Sequence, residues 1–135
     1  MTLENAEKLI VDFLIERIAP SVIYLFGSQA VGRVHRNSDY DIAYLSDKNL
    51  SHYERFMLAQ ELAAILNRDV DLIDLKQAST VFQSQIVEKG KALYGNNSTD
   101  KALFEMRTLK NYAILNEERR VILENISERG QIHEE

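Results

Sequence analysis

The sequence predicts an α/β fold (α+β in its mix of strand directions), a small mixed sheet with helices mainly on one side. Two observations carry this. Short apolar runs rich in Val, Ile, Leu, Tyr and Phe alternate with longer segments whose apolar residues recur at three- and four-residue steps. The chain has 135 residues, 45% of them hydrophobic, which is enough for one real core and favours a single domain. A net charge of −5 argues against a nucleic-acid partner held by a broad basic surface. The absence of cysteine removes disulfides and thiolate metal sites. No apolar run approaches the roughly 18 residues of a membrane span, and acidic residues interrupt the first helical segment, so neither a signal peptide nor a membrane partner is expected.

The first helix is predicted from the steps Leu3, Ala6, Leu9, Ile10, Phe13, Leu14 and Ile18, with Thr2 as cap and Pro20, the single proline, ending it. Val22 to Phe26 forms the first strand and stops at Gly27 and Ser28; Ser28 caps a short helical turn, and a loop runs to Ser38. A second strand opens at Asp39 and runs to Leu45. Ser51 and Glu54 form a capping box for a helix that buries Leu58, Leu62, Ile65 and Leu66, and Asn67-Arg68 closes it. Residues 69–75 are the third strand, with Asp69 and Asp74 expected at solvent-facing ends.

A helix from Ser79 places Val81, Phe82, Gln85, Ile86 and Lys89 on or near one face and ends at Gly90 as its C′ residue. Lys91 to Tyr94 is a short strand, and the polar stretch after it is the one plausible boundary in the chain. Residues 1–96 thus form the main domain. Residues 97–135 carry a long helix whose stripe Tyr112, Leu115, Arg119, Ile122, Ile126 alternates steps of three and four like a coiled-coil seam. That helix packs on its own domain or presents a surface to a partner.

The chemistry gathers at residues 27–41. Strand side chains alternate faces, so Asp39 and Asp41 point the same way, roughly 6.6 Å apart along the strand. Two such carboxylates repel, and hard oxygen ligands suit Mg²⁺ or Mn²⁺ carrying phosphate oxygens. Gly27, without a Cβ, lets backbone come close to a bulky anion, and Ser28 can donate to phosphate. Asp71 sits among Val, Leu and Ile on a strand and is the best candidate for a third carboxylate. Arg33 and Arg36 lie in the intervening loop. The pattern suggests a site for a metal-bound nucleoside triphosphate.

Gly27-Ser28, ten intervening residues and Asp39-x-Asp41 resemble the signature of the polymerase-β-like nucleotidyltransferase superfamily, and the early motif resembles its minimal (MNT) branch. The likeness covers about residues 1–95 in order of elements, and Asp71 matches the third acidic position. Many relatives carry Arg after the Ser where this chain has Gln29, which makes Arg33 and Arg36 the substitutes for neutralising triphosphate.

The resemblance implies the polymerase-β-like nucleotidyltransferase fold. It also implies a two-metal site in which Asp39 and Asp41 bridge both ions and Asp71 holds one, with Gly27, Ser28, Arg33 and Arg36 binding the nucleotide. MNT proteins are often paired with HEPN-domain toxins. The implied function is therefore that of a cytoplasmic antitoxin in a hetero-oligomer with a HEPN ribonuclease, moving AMP from ATP to a tyrosine hydroxyl of the toxin. Two alternatives are an antitoxin acting by occlusion alone and a nucleotidyltransferase for a small hydroxylated molecule.

Overall fold

The computed structural model describes residues 3–27 and 39–133. Thr2, Ser28 and the loop up to Ser38, with the cap and turn expected of them, lie outside the described residues. The helix α1 (Leu3–Ile18) buries Ala6, Ile10, Leu14 and Ile18, a step of four that keeps one narrow stripe inward. It stops where Ala19 turns to a φ of 43° ahead of Pro20. Strands β1 (Val22–Phe26), β2 (Tyr40–Leu45), β3 (Val70–Asp74) and β4 (Lys91–Tyr94) form one sheet in the order β3-β2-β1-β4. Strand β1 is antiparallel to both neighbours, while β2 and β3 run parallel through the crossover helix α2 (His52–Leu66).

Both faces of the sheet are covered, so the expectation of helices mainly on one side is corrected. Ile23, Leu25, Ile42 and Tyr44 pack with α1 and α2 on one face. On the other, Val22, Tyr24 and Ala43 pack with Ile86 of α3 (Thr80–Lys89) and Phe104 of α4 (Thr99–His133). Four consecutive residues of β1 are buried because neither face meets water.

Helix α2 opens on the predicted capping box, Ser51 accepting from the Glu54 N–H and Glu54 accepting from the Ser51 N–H, and closes on Asn67 in the left-handed region. Its buried face is Leu58, Ala59, Leu62 and Leu66; Ile65, expected inside, points to solvent one step round the helix. In α3, Ser79 caps as predicted, but Gln85 and Lys89 are exposed and Ser84 and Ile86 are buried. Gly90 is extended rather than left-handed, and its lack of a Cβ matters because one would press on the Ile86 carbonyl.

Helix α4 divides in two. Its first turns pack through Phe104 and Thr108, Tyr24 approaches Phe104, and the Tyr24 hydroxyl donates to Glu105 over 2.8 Å. From Asn116 to Ser127 every side chain is exposed, including Ile122 and Ile126.

Candidate active site

Strand order and register bring three of the predicted carboxylates to one place. Asp41 lies opposite Phe26, the last residue of β1, and opposite Asp71 on the parallel strand β3. Paired residues on neighbouring strands project to the same face about 4.8 Å apart, and Asp39, two positions before Asp41, shares that side. The face is the one that α3 covers further along, where Phe82 meets the Phe26 ring edge-on at 5.5 Å between centroids. Asp39 and Asp71 are exposed and Asp41 is half-buried.

The electrostatics follow from this crowding. Burial, then the charges of Asp71 and Asp39, push the Asp41 carboxyl above the usual carboxylate range. Gly27 closes the site from the β1 side with a φ of 76°, a conformation that side chains other than glycine's rarely tolerate. A Cβ there would also collide with Oδ2 of Asp41. Its glycine is thus required twice, by its own backbone and by the carboxylate beside it, and the second reason was not readable from the chain.

Ser28, Arg33 and Arg36 lie outside the described residues. Asp69 is exposed, as expected at a strand end. Asp74, expected in solvent as well, is instead 2% exposed. It sits opposite Tyr44 on the face that α2 covers; its Oδ1 accepts from the Lys76 N–H, and Oδ2 finds no partner among the described residues. Sequence reasoning also missed His52, Arg55 and Phe56 of α2, which line one cleft with Asp39 and Asp71. Nothing local marks them, because a helix face bordering a cleft has the composition of an ordinary solvated face.

The carboxylates fit a divalent cation by their chemistry: hard oxygen donors, mutually repelling, one of them with its charge already disfavoured. Among the described residues no three acidic or histidine side chains are gathered tightly enough to enclose an ion as they stand. The three form an open rim at the end of the sheet.

A mixed sheet with two carboxylates opening one strand, a third on its parallel neighbour and a glycine turn beside them defines a nucleotidyltransferase of the polymerase β class. The chain belongs to that family, the model described as Polymerase beta, Nucleotidyltransferase matching residues 8–99. Its relatives narrow the class. The chain is 47% identical over 105 residues, 78% of its own length and 75% of the relative's, to the protein adenylyltransferase MntA of Shewanella oneidensis. It is 28% identical over 117 residues, 78% and 77% of the two lengths, to MntA of Aphanizomenon flos-aquae.

Similar solved structures include two of note. One is a toxin–antitoxin with AMP-PNP (TM-score 0.80, 44% identity, 89% of this chain and 97% of that one). The other is a tri-AMPylated S. oneidensis HEPN toxin in complex with MNT antitoxin (TM-score 0.77, 38% identity, 93% and 98%).

Proposed function

We propose that this chain is the antitoxin of a HEPN/MNT pair and a protein adenylyltransferase, moving AMP from ATP to a tyrosine hydroxyl of its cognate HEPN ribonuclease toxin. The observation that carries the reading is the carboxylate rim of Asp39, Asp41 and Asp71 beside Gly27, in a chain 47% identical to an MntA adenylyltransferase. In the reaction the tyrosine oxygen attacks the α-phosphorus, the bond from that phosphorus to the bridging oxygen of the β-phosphate breaks, and pyrophosphate leaves. The hydroxyl proton passes to water.

Asp39, Asp41 and Asp71 are the residues that would hold magnesium, two ions in our reading. When bound, magnesium neutralises triphosphate charge and lowers the pKa of the attacking hydroxyl. Gly27 leaves room for the Asp41 carboxylate, and in-line displacement asks little more of side chains than such positioning. AMP on the toxin adds a negative phosphodiester and bulk, which repel the phosphates of an RNA substrate.

The exposed outer half of α4 is the part of residues 97–135 that we assign to holding the toxin. Cytoplasmic location accords with this chemistry, and among the described residues no helix is long and apolar enough to cross a membrane. Incubation with labelled ATP, Mg²⁺ and the cognate toxin tests the function. Wild type is expected to label the toxin and Asp41→Asn to leave it unlabelled; an unlabelled toxin with wild type would overturn the reading.

A further inference from the structure

Among the described residues strand β3 stands at the edge of the sheet, paired on one side only. Asp69 O accepts from the Tyr40 N–H and the Leu75 N–H donates to Tyr44 O, so the odd-numbered residues of β3 turn their backbone groups towards β2. Val70 and Leu72 therefore turn theirs outward. A cleft of about 630 Å³ runs along this free edge, walled on one side by α2. At the start of β3 it reaches Asp39 and Asp71; towards the end of β3 it reaches Arg55, which donates to Gln77, and the buried Asp74. Phe56, 58% exposed, lies along the wall between them.

We propose that this cleft receives the acceptor segment of the partner toxin as an extended peptide, which pairs with the free edge of β3 and carries its tyrosine hydroxyl to Asp71 and Asp39. The inference rests on the adenylyltransferase reading and deepens it by saying where the protein substrate lies. Three features select this occupant. The cleft is continuous with the catalytic carboxylates, so whatever fills it arrives at the reacting atoms. Its long side offers unpaired backbone donors and acceptors at strand spacing, which an extended chain satisfies and a compact molecule does not.

The third is charge, since carboxylates outnumber the one guanidinium in the lining. With Asp39, Asp69, Asp71 and Asp74 in the lining against Arg55, the cleft favours basic residues flanking the tyrosine.

Two variants test this against the full-length toxin. Phe56→Lys puts a positive charge on the wall at an exposed helix position, against the basic residues that the cleft favours. Val70→Pro removes an outward N–H at the first residue of an edge strand, a place where proline is tolerated. Both are expected to lower kcat/KM for toxin AMPylation at least tenfold while AMP-PNP affinity by calorimetry stays within twofold of wild type, and Phe56→Leu is expected to restore the rate.

Should Val70→Pro unfold by circular dichroism, Phe56→Lys alone decides. A toxin kcat/KM within twofold of wild type would overturn the proposal. So would a parallel loss of AMP-PNP binding, which would give the cleft to the nucleotide. A wild-type protein that labels no toxin would bring down the adenylyltransferase reading itself, and is recognised without any variant.

Discussion

At the carboxylate end of the sheet Asp39, Asp41 and Asp71 crowd like charges together, whereas the outer half of α4 exposes Ile122 and Ile126 to water. One region is unfavourable through electrostatic repulsion, the other through exposed apolar surface. On the proposed function different binders would relieve them: a cation with its phosphates at the first, a protein surface at the second. Chemistry and partner retention are thereby separable, and the clearest tests try to make one fail without the other.

The largest effect is expected at the carboxylates. Asp39→Asn or Asp41→Asn should lower transfer by about 10³-fold or more, since each would remove a ligand of the proposed metal rather than a core group. Circular dichroism should remain that of wild type and toxin pull-down should persist. Near-normal transfer in both variants would leave the rim without a catalytic role.

Gly27→Val comes next. It forces a branched side chain into a backbone at φ 76° and against Asp41, so AMP-PNP binding should disappear from a calorimetric titration. Retained binding would move the nucleotide elsewhere.

The opposite dissociation belongs to α4. Ile122→Glu combined with Ile126→Glu should weaken toxin association by about a hundredfold or more, given roughly 1.5–3 kcal/mol for each aliphatic side chain buried, with Mg-ATP binding unaltered. In the packed half of the same helix, Phe104→Ala should lower the melting temperature instead, at a cost of about 3–5 kcal/mol. A double variant that keeps the toxin at wild-type strength would dissolve the contrast between the two halves.

The smallest effect sharpens it. Because the folded Asp41 carboxyl holds its proton above the ordinary value of about 3.9, the folded chain binds more protons than the unfolded one in the window between them. Stability of the metal-free protein therefore falls as pH rises through that window. Asp41→Asn removes the repelled charge and should melt about 1–3 °C higher than wild type in EDTA at neutral pH, a small gain because solvent screens a half-exposed group. Saturating Mg²⁺ should erase the difference. An unchanged or lower melting temperature in EDTA would mean that the repulsion costs the fold nothing.

Much of the fold was readable where a signal is local. The run Val22–Phe26, the Ser51/Glu54 box and the strand Lys91–Tyr94 are all found as expected, since each depends on residues within a few positions. Alternation along each strand also placed Asp39, Asp41 and Asp71 on sides that could meet.

What it could not supply was the parallel register that sets Asp71 opposite Asp41, because register depends on how a distant strand is delivered by its crossover helix. The same limit hid Asp74: a carboxylate at a strand end looks solvated until α2 is known to cover that face. The placing of helices on one side had a contrary signal in plain view, the unbroken apolar run of β1, which calls for cover on both faces.

The pairing of β1 with both β2 and β4 has a consequence for biosynthesis. Strand β2 follows β1 closely, but β4 begins only at Lys91, so the outer edge of β1 waits for its neighbour while α2, β3 and α3 are still being made. At ~5–20 residues per second that wait is on the order of ten seconds. Throughout it a nascent chain carries an uncovered apolar strand edge, the geometry most open to pairing with another chain. Helix α4 leaves the ribosome after β4, the strand that closes that edge. Its bare isoleucines meet the cell only once the sheet behind them is complete.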